Sequence, residues 1–244
     1  MRTDAARLEL ARFGRGLKAL YAREGAVGAS RKLGRVAVAQ ALLPMTARRR
    51  SRERFELLGH ALPYTFSRYN SSFLNERTVE VSIARWFLAQ GATGRMLEVG
   101  NVLSHYGIHG HDVVDRYERA PGVINEDIVD FVPDESYDTV VSISTLEHVG
   151  RDETPRRPER AIAAFDVVQA VVVPGCRMLV IVPFGYNHAM DEAIRSGRIQ
   201  MPRQTALVRV DRRNRWVEAS VDEGLERPYS SSFGHANAIY VGIT

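Results

Sequence analysis

Residues 133–149, PDESYDTVVSISTLEHV, decide the fold. An aspartate, Asp138, leads into the aliphatic positions Val140, Val141 and Ile143. The run then closes on Ser142, Ser144 and Thr145 before Leu146-Glu147-His148-Val149. A strand covered on both faces reads as a nearly continuous apolar run, with polar chemistry collected at its end. Four further pieces repeat the scheme in a set order: RMLEVGN (95–101), HDVVDRYE (111–118), INEDIVDF (124–131) and PGCRMLVIVPFGYN (174–187). Between them strands and helical patterns alternate, as a parallel sheet requires.

Around this centre the remaining elements can be placed. A helix is expected from about Asn75 to Gln90, with Val79, Ile83, Phe87 and Leu88 on its core face and Gly91 and Gly94 closing it. Pro174-Gly175 is the expected opening turn of the last parallel strand. Near the end, ALVRVDRRNRWVEASV (206–221) reads as a hairpin turning around Arg212 to Asn214, and ANAIYVGIT (236–244) as a final strand. No internal repeat and no low-complexity tract interrupts the chain.

The first 60 residues differ from the rest. They hold 14 Lys and Arg against 5 Asp and Glu, a net of +9, so with +4 overall the remainder carries −5. Amphipathic helices are expected at 4–23 and from Ser30 to Pro44, the first stopped by Gly25 and Gly28 and the second ended by Pro44. ARRRSRER (47–54) is a solvated charge block or the start of a third helix. Such a leader attracts phosphates of an anionic membrane, a lipid-linked acceptor or, less favoured, nucleic acid, since Phe13, Tyr21 and Phe55 sit in packing stripes. No stretch approaches the roughly 20 apolar residues of a membrane span, and Cys176 alone allows neither an internal disulfide nor a cysteine-built zinc site. A cytoplasmic location, with peripheral membrane contact through residues 1–60, is the expectation.

The ordered pieces resemble the class I S-adenosylmethionine-dependent methyltransferases. Within that family ISTLEHVGRDETPR and PFGYN look like a subgroup associated with surface-glycan and secondary-metabolite pathways. The likeness covers about Tyr69 to Thr244. It implies an α/β architecture with a Rossmann-like seven-stranded, mostly parallel sheet and an antiparallel final strand, preceded by a basic helical extension over 1–68. It also implies S-adenosylmethionine as cofactor, held by Glu98, Gly100, Asn101, Asp115, Asp127, Ile128, Ser144 and Thr145. Glu98 would accept from a cationic amine or order the nucleotide loop. Asp115 would take the ribose hydroxyls, being acceptor-only. Asp127 would face the adenine amino group, with Ile128 on the ring. The sequence departs from the family where Asn101-Val102-Leu103 replaces the later glycines of the loop. Asp115 follows Gly100 by only 15 positions, so the usual intervening helix must be short or absent.

His148 is the first candidate for a catalytic base, because imidazole titrates near neutral pH; Glu147 and Asp152 follow, then Glu153 and His188. His105, His109 and His111 lie in an expected loop without a metal-ligand pattern, so no metal site is assigned. The leading expectation is O-methylation of a sugar hydroxyl on a glycan, glycolipid or glycosylated metabolite. RNA methylation using the basic leader, and a non-catalytic binding protein on the same fold, are the alternatives.

Overall fold

The computed structural model describes residues 25, 28, 30, 33–34, 36–91, 94–230 and 235–244. The helix expected at 4–23 lies outside them. The described chain falls into two units, one ending at Arg49 and one spanning Arg50–Thr244. In the leading unit the described residues are helical, Gly25 and Gly28 included, and helix α1 covers 36–50 without stopping at Pro44. A proline removes one backbone donor from a helix, and here that loss does not end it.

The second unit opens with a hairpin that the charge pattern had hidden, β1 (Arg54–Leu57) and β2 (His60–Pro63). Its two-residue turn places Leu58 at φ 50° and Gly59 at φ 81°. Both central residues are left-handed, the arrangement that matches the twist of a tight hairpin. Glu218 fixes it by accepting from the Leu58 N–H at 3.0 Å.

Helix α2 (Arg77–Ala89) follows, starting where Asn75 Oδ1 accepts from the Arg77 N–H. Val79, Ile83 and Phe87 are buried on its inner face, as their spacing predicts. The chain then builds β3 (Met96–Val99), β4 (Asp112–Val114), β5 (Val123–Ile124), β6 (Tyr137–Ile143), α3 (Arg160–Ala170) and β7 (Val172–Pro183). After these come α4 (His188–Arg195), β8 (Arg203–Arg209), β9 (Trp216–Ala219), α5 (Val221–Leu225) and β10 (Ala238–Ile243). The sheet order is β5-β4-β3-β6-β7-β10-β8-β9. It has eight strands, not seven, because the hairpin read at 206–221 adds β9 at the edge. β5 to β7 are parallel; β10 pairs antiparallel with both β7 and β8, and β9 antiparallel with β8.

Pro174-Gly175 lie inside β7 rather than ahead of it. Tyr137 pairs with Val172, yet Thr139 pairs with Arg177, so the intervening residues form a bulge. One apolar core packs Phe165, Val168, Met190 and Ile194 on one face of the sheet. The opposite core gathers Phe55, Leu57 and Leu62 of the hairpin with Ile83, Phe87, Leu207 and Trp216. Trp216 satisfies its indole N–H on Asn214 Oδ1 at 2.9 Å, and its backbone N–H on Tyr64 Oη at 3.0 Å. Among the described residues no helix is long and apolar enough to cross a membrane.

Candidate functional site

Parallel register brings several strand ends to one edge. Val99 pairs with Val114 on one side and Ser142 on the other, and Val114 pairs with Ile124. Gly100, Asp115, Asn125 and the Ser144-Thr145 pair therefore emerge along the same carboxyl edge. The sheet order reverses at β3, between β4 and β6, where open α/β sheets form a ligand crevice. Gly100 stands there at φ 86°, and a Cβ on it would run into the Thr145 side chain. Both the backbone angle and the close approach require glycine.

Glu98 is fully buried and holds the loop that follows. Its Oε1 accepts from the Val102 and Leu103 N–H groups, each at 2.7 Å, and Oε2 meets His111 Nε2 at 2.8 Å. The carboxylate thus anchors the turn that follows Gly100. The β3–β4 connection carries one 3-10 turn, Leu103–Tyr106, which agrees with the short spacing. His105 meets Glu118 at 3.0 Å while His109 is exposed, so the three histidines go separate ways. Among the described residues no group of side chains is arranged to hold a metal ion.

Asp115 ties the ends of β3 and β4 together. Oδ2 accepts from the Asn101 N–H at 3.1 Å, and Oδ1 from the Tyr117 and Glu118 N–H groups at 2.9 and 2.8 Å. Asn101 returns a hydrogen bond to Glu118 Oε1 at 3.0 Å. A carboxylate has about four acceptor positions, so Asp115 keeps about one for a ligand hydroxyl. Asp127 is more occupied. Its Oδ2 pairs with Arg116 at 2.7 Å and Arg160 at 2.9 Å, and Oδ1 accepts from the Val129 N–H. Ile128 is buried in the core on the α3 face.

Beyond β6 lies the second half of the site. Ser144, at φ 44°, donates to Glu80 on α2, and Thr145 donates to the Ile143 carbonyl. The 3-10 turn Leu146–His148 then presents His148, whose Nδ1 lies 2.6 Å from Asp152 Oδ2 and whose Nε2 lies 3.5 Å from Glu147 Oε1. Tyr186 donates to Asp152 at 2.8 Å and packs its ring 4.6 Å from the imidazole. Burial pulls the His148 pKa down, but the Asp152 hydrogen bond and the Glu147 charge outweigh it and hold the pKa above the ordinary value. Burial also acts on Asp152, where the His148 and Tyr186 hydrogen bonds prevail and lower its pKa.

Glu147 is fully buried, and neither of its oxygens has a hydrogen-bond partner among the described residues. Burial pushes its carboxyl up to about 7, the His148 charge working against that rise and the Glu80 charge adding to it. Glu153 turns instead toward Arg116 at 2.8 Å, and His188 is exposed beside Asp191. Sequence reasoning missed Arg77 and Glu80, which α2 delivers to this edge as an ion pair at 3.1 Å. The signal was present: Glu80 is a charged residue between Val79 and Val81 in a helix that buries Val79, Ile83 and Phe87. Tyr106, and Tyr186, which stood only inside the string PFGYN, were also missed.

No family model matches the sequence, and no curated protein matches it. Solved structures do. The N-methyltransferase NodS from Bradyrhizobium japonicum WM9 shares 13% identity over 68% of this chain and 93% of its own, with a TM-score of 0.42. A SAM-dependent methyltransferase from Archaeoglobus fulgidus shares 14% identity over 72% and 98%, with a TM-score of 0.42. A DhpI-SAM-HEP complex shares 17% over 83% and 97%, with a TM-score of 0.38. Likeness at this level describes what the chain is similar to and assigns it no activity.

Proposed function

We propose that the chain is an S-adenosylmethionine-dependent methyltransferase that acts on a small-molecule or glycan acceptor, with a sugar hydroxyl as the methylated group. The observation that carries this reading is the meeting of Gly100, Asn101, Asp115 and Thr145 at the β3/β6 crevice, with the His148–Asp152 pair on its β6 side. The donor set fits the cofactor in one respect: with three N–H groups on its oxygens, Asp115 retains about one acceptor position for a ribose hydroxyl. Asp127 fits less directly, since an adenine amino group would share it with two arginines. When bound, S-adenosylmethionine supplies an electrophilic methyl group on a sulfonium.

The chain's own residues supply the rest. The loop anchored by Glu98 presents the Gly100 and Asn101 backbone to the cofactor. His148 takes the acceptor's hydroxyl proton, and Asp152, fixed by Tyr186, orients the ring and stabilises the imidazolium that results. Alignment of acceptor and donor in one crevice contributes most of the acceleration. The basic leader, with Val38, Leu42 and Met45 exposed at helical spacing, is assigned a peripheral contact with an anionic surface.

Calorimetry tests the cofactor half. The wild-type chain should bind S-adenosylmethionine and its demethylated product, S-adenosylhomocysteine, and Asp115→Ala should weaken both at least about tenfold while the circular dichroism is unchanged. Absence of binding by the wild type refutes the assignment. A mass-spectrometric screen of candidate glycans for the gain of one methyl identifies the acceptor.

A further inference from the structure

The loop that follows the 146–148 turn sets an arginine beside the His148–Asp152 pair. Arg151 lies with its guanidinium carbon 4.0 Å from the centre of the Tyr186 ring. Tyr186 is the residue that donates to Asp152 at 2.8 Å and packs 4.6 Å from the imidazole, so direct contacts link Arg151 to the base. The Tyr229 ring braces Tyr186 edge to face at 5.2 Å. These side chains reach solvent: Arg151 is 34% exposed, Asp152 41% and His148 45%. No buried group has to be uncovered for a ligand to meet them.

Arg151 is weakly paired for a residue so placed. Among the described residues its side chain makes one hydrogen bond, to Asp152 Oδ1 at 3.4 Å, and that carboxylate is already engaged by His148 at 2.6 Å and by Tyr186. A guanidinium carries five N–H donors, so most of this fork stays open. The neighbouring acids are committed elsewhere: Glu153 to Arg116 at 2.8 Å, and Glu80 to Arg77 at 3.1 Å. Glu147, on the Nε2 side of His148, is buried, and a pKa of about 7 leaves it only partly charged near neutral pH. Arg156 and Arg157 are exposed and, among the described residues, have no ion pair. The Arg157 N–H donates to the Gly150 carbonyl at 2.7 Å, which closes the loop on itself and keeps these arginines near Arg151. Glu159 and the Asp127-bound Arg160 follow at the head of α3.

An accessible guanidinium, placed by an aromatic ring and offering unpaired donors, suits bidentate recognition of a carboxylate or phosphate. We propose that Arg151 anchors the acceptor by binding an anionic group on the same molecule whose hydroxyl His148 deprotonates. This rests on the methyltransferase reading and narrows its acceptor to acidic sugars, uronates or sugar phosphates, and comparable acidic metabolites. Arg156 and Arg157 add to the positive potential that draws such a group in.

Calorimetry on the full chain saturated with S-adenosylhomocysteine tests this with three probes: glucuronate, glucose 6-phosphate and glucose. At least one of the two anions should bind about tenfold more tightly than glucose, and the stronger of them tells carboxylate from phosphate. Arg151→Gln and Arg151→Met should each erase that preference while S-adenosylhomocysteine still binds. Either variant with intact S-adenosylhomocysteine affinity is decisive, so misfolding of one leaves the other. Equal binding of the three probes by the wild type, no binding of either anion, or a preference that survives the substitutions overturns the proposal. Loss of S-adenosylhomocysteine affinity in both variants also overturns it, because the arginine would then serve the donor or the fold. Failure of the wild type to bind S-adenosylhomocysteine is a different result, and it removes the underlying reading.

Discussion

Replacing Glu147 by glutamine should make the protein more stable at alkaline pH and leave it unchanged in acid. The side chain is fully buried, its oxygens have no hydrogen-bond partner among the described residues, and its carboxyl rises from the ordinary 4.5 to about 7. Each tenfold change in proton affinity is worth about 1.36 kcal/mol, so the folded state disfavours the ionised form by roughly 3 kcal/mol. The sign follows from linkage. A carboxyl whose pKa is raised on folding favours the native state fully below about pH 4.5, and that contribution is lost as the pH climbs through about 7. Glutamine mimics the protonated form at every pH. Wild type and Glu147→Gln should therefore coincide near pH 4.5, separate between there and about 7, and differ by roughly 3 kcal/mol above pH 8. For a domain of this size that is a rise in Tm of roughly 6–12 °C. Urea denaturation at half-unit pH steps measures it. A parallel pair of stability curves, or a variant less stable than wild type at pH 8, refutes the claim that Glu147 is buried without compensation.

Other consequences are as direct. Gly100→Ala forces a left-handed backbone on alanine and drives its Cβ into Thr145, so it should cost at least about 2 kcal/mol in thermal denaturation and abolish cofactor binding. His148→Ala should lower the methylation rate by roughly 10²–10⁴ while cofactor affinity holds. Because the His148 pKa is raised, the rate should increase as the pH passes above the ordinary imidazole range; Asp152→Asn should shift that limb to lower pH. An unshifted limb would remove Asp152 from the pair. The leader should co-sediment with anionic vesicles at low salt and be released by high salt; no binding at low salt ends that idea.

The strands were readable because a parallel strand buried on two faces announces itself as an aliphatic run with polar residues at its end. The runs at 96–99, 112–114, 137–143 and 172–183 all form strands of one sheet, and the hairpin at 206–221 forms as read. The β1–β2 hairpin was not readable. Leu58-Gly59 lacks the Asn-Gly signature of a tight turn, and Arg52 and Arg54 mask the alternation of Phe55 and Leu57. Its partners lie more than a hundred residues away: Trp216 shares an apolar core with Phe55, Leu57 and Leu62, and Glu218 accepts from the Leu58 N–H.

Sequence alone determined the order of elements, the location of chemistry at strand ends and the identity of the residues found there. Local periodicity and residue type carry that information, since each is written within a few consecutive positions. Only the tertiary structure decided how those residues are used. It gave Glu98 to the loop backbone, tied Asp127 to Arg116 and Arg160, and left Glu147 buried without a hydrogen-bond partner among the described residues. Which carboxylate is satisfied and which is stranded depends on long-range burial and pairing, and no stretch of consecutive residues encodes either.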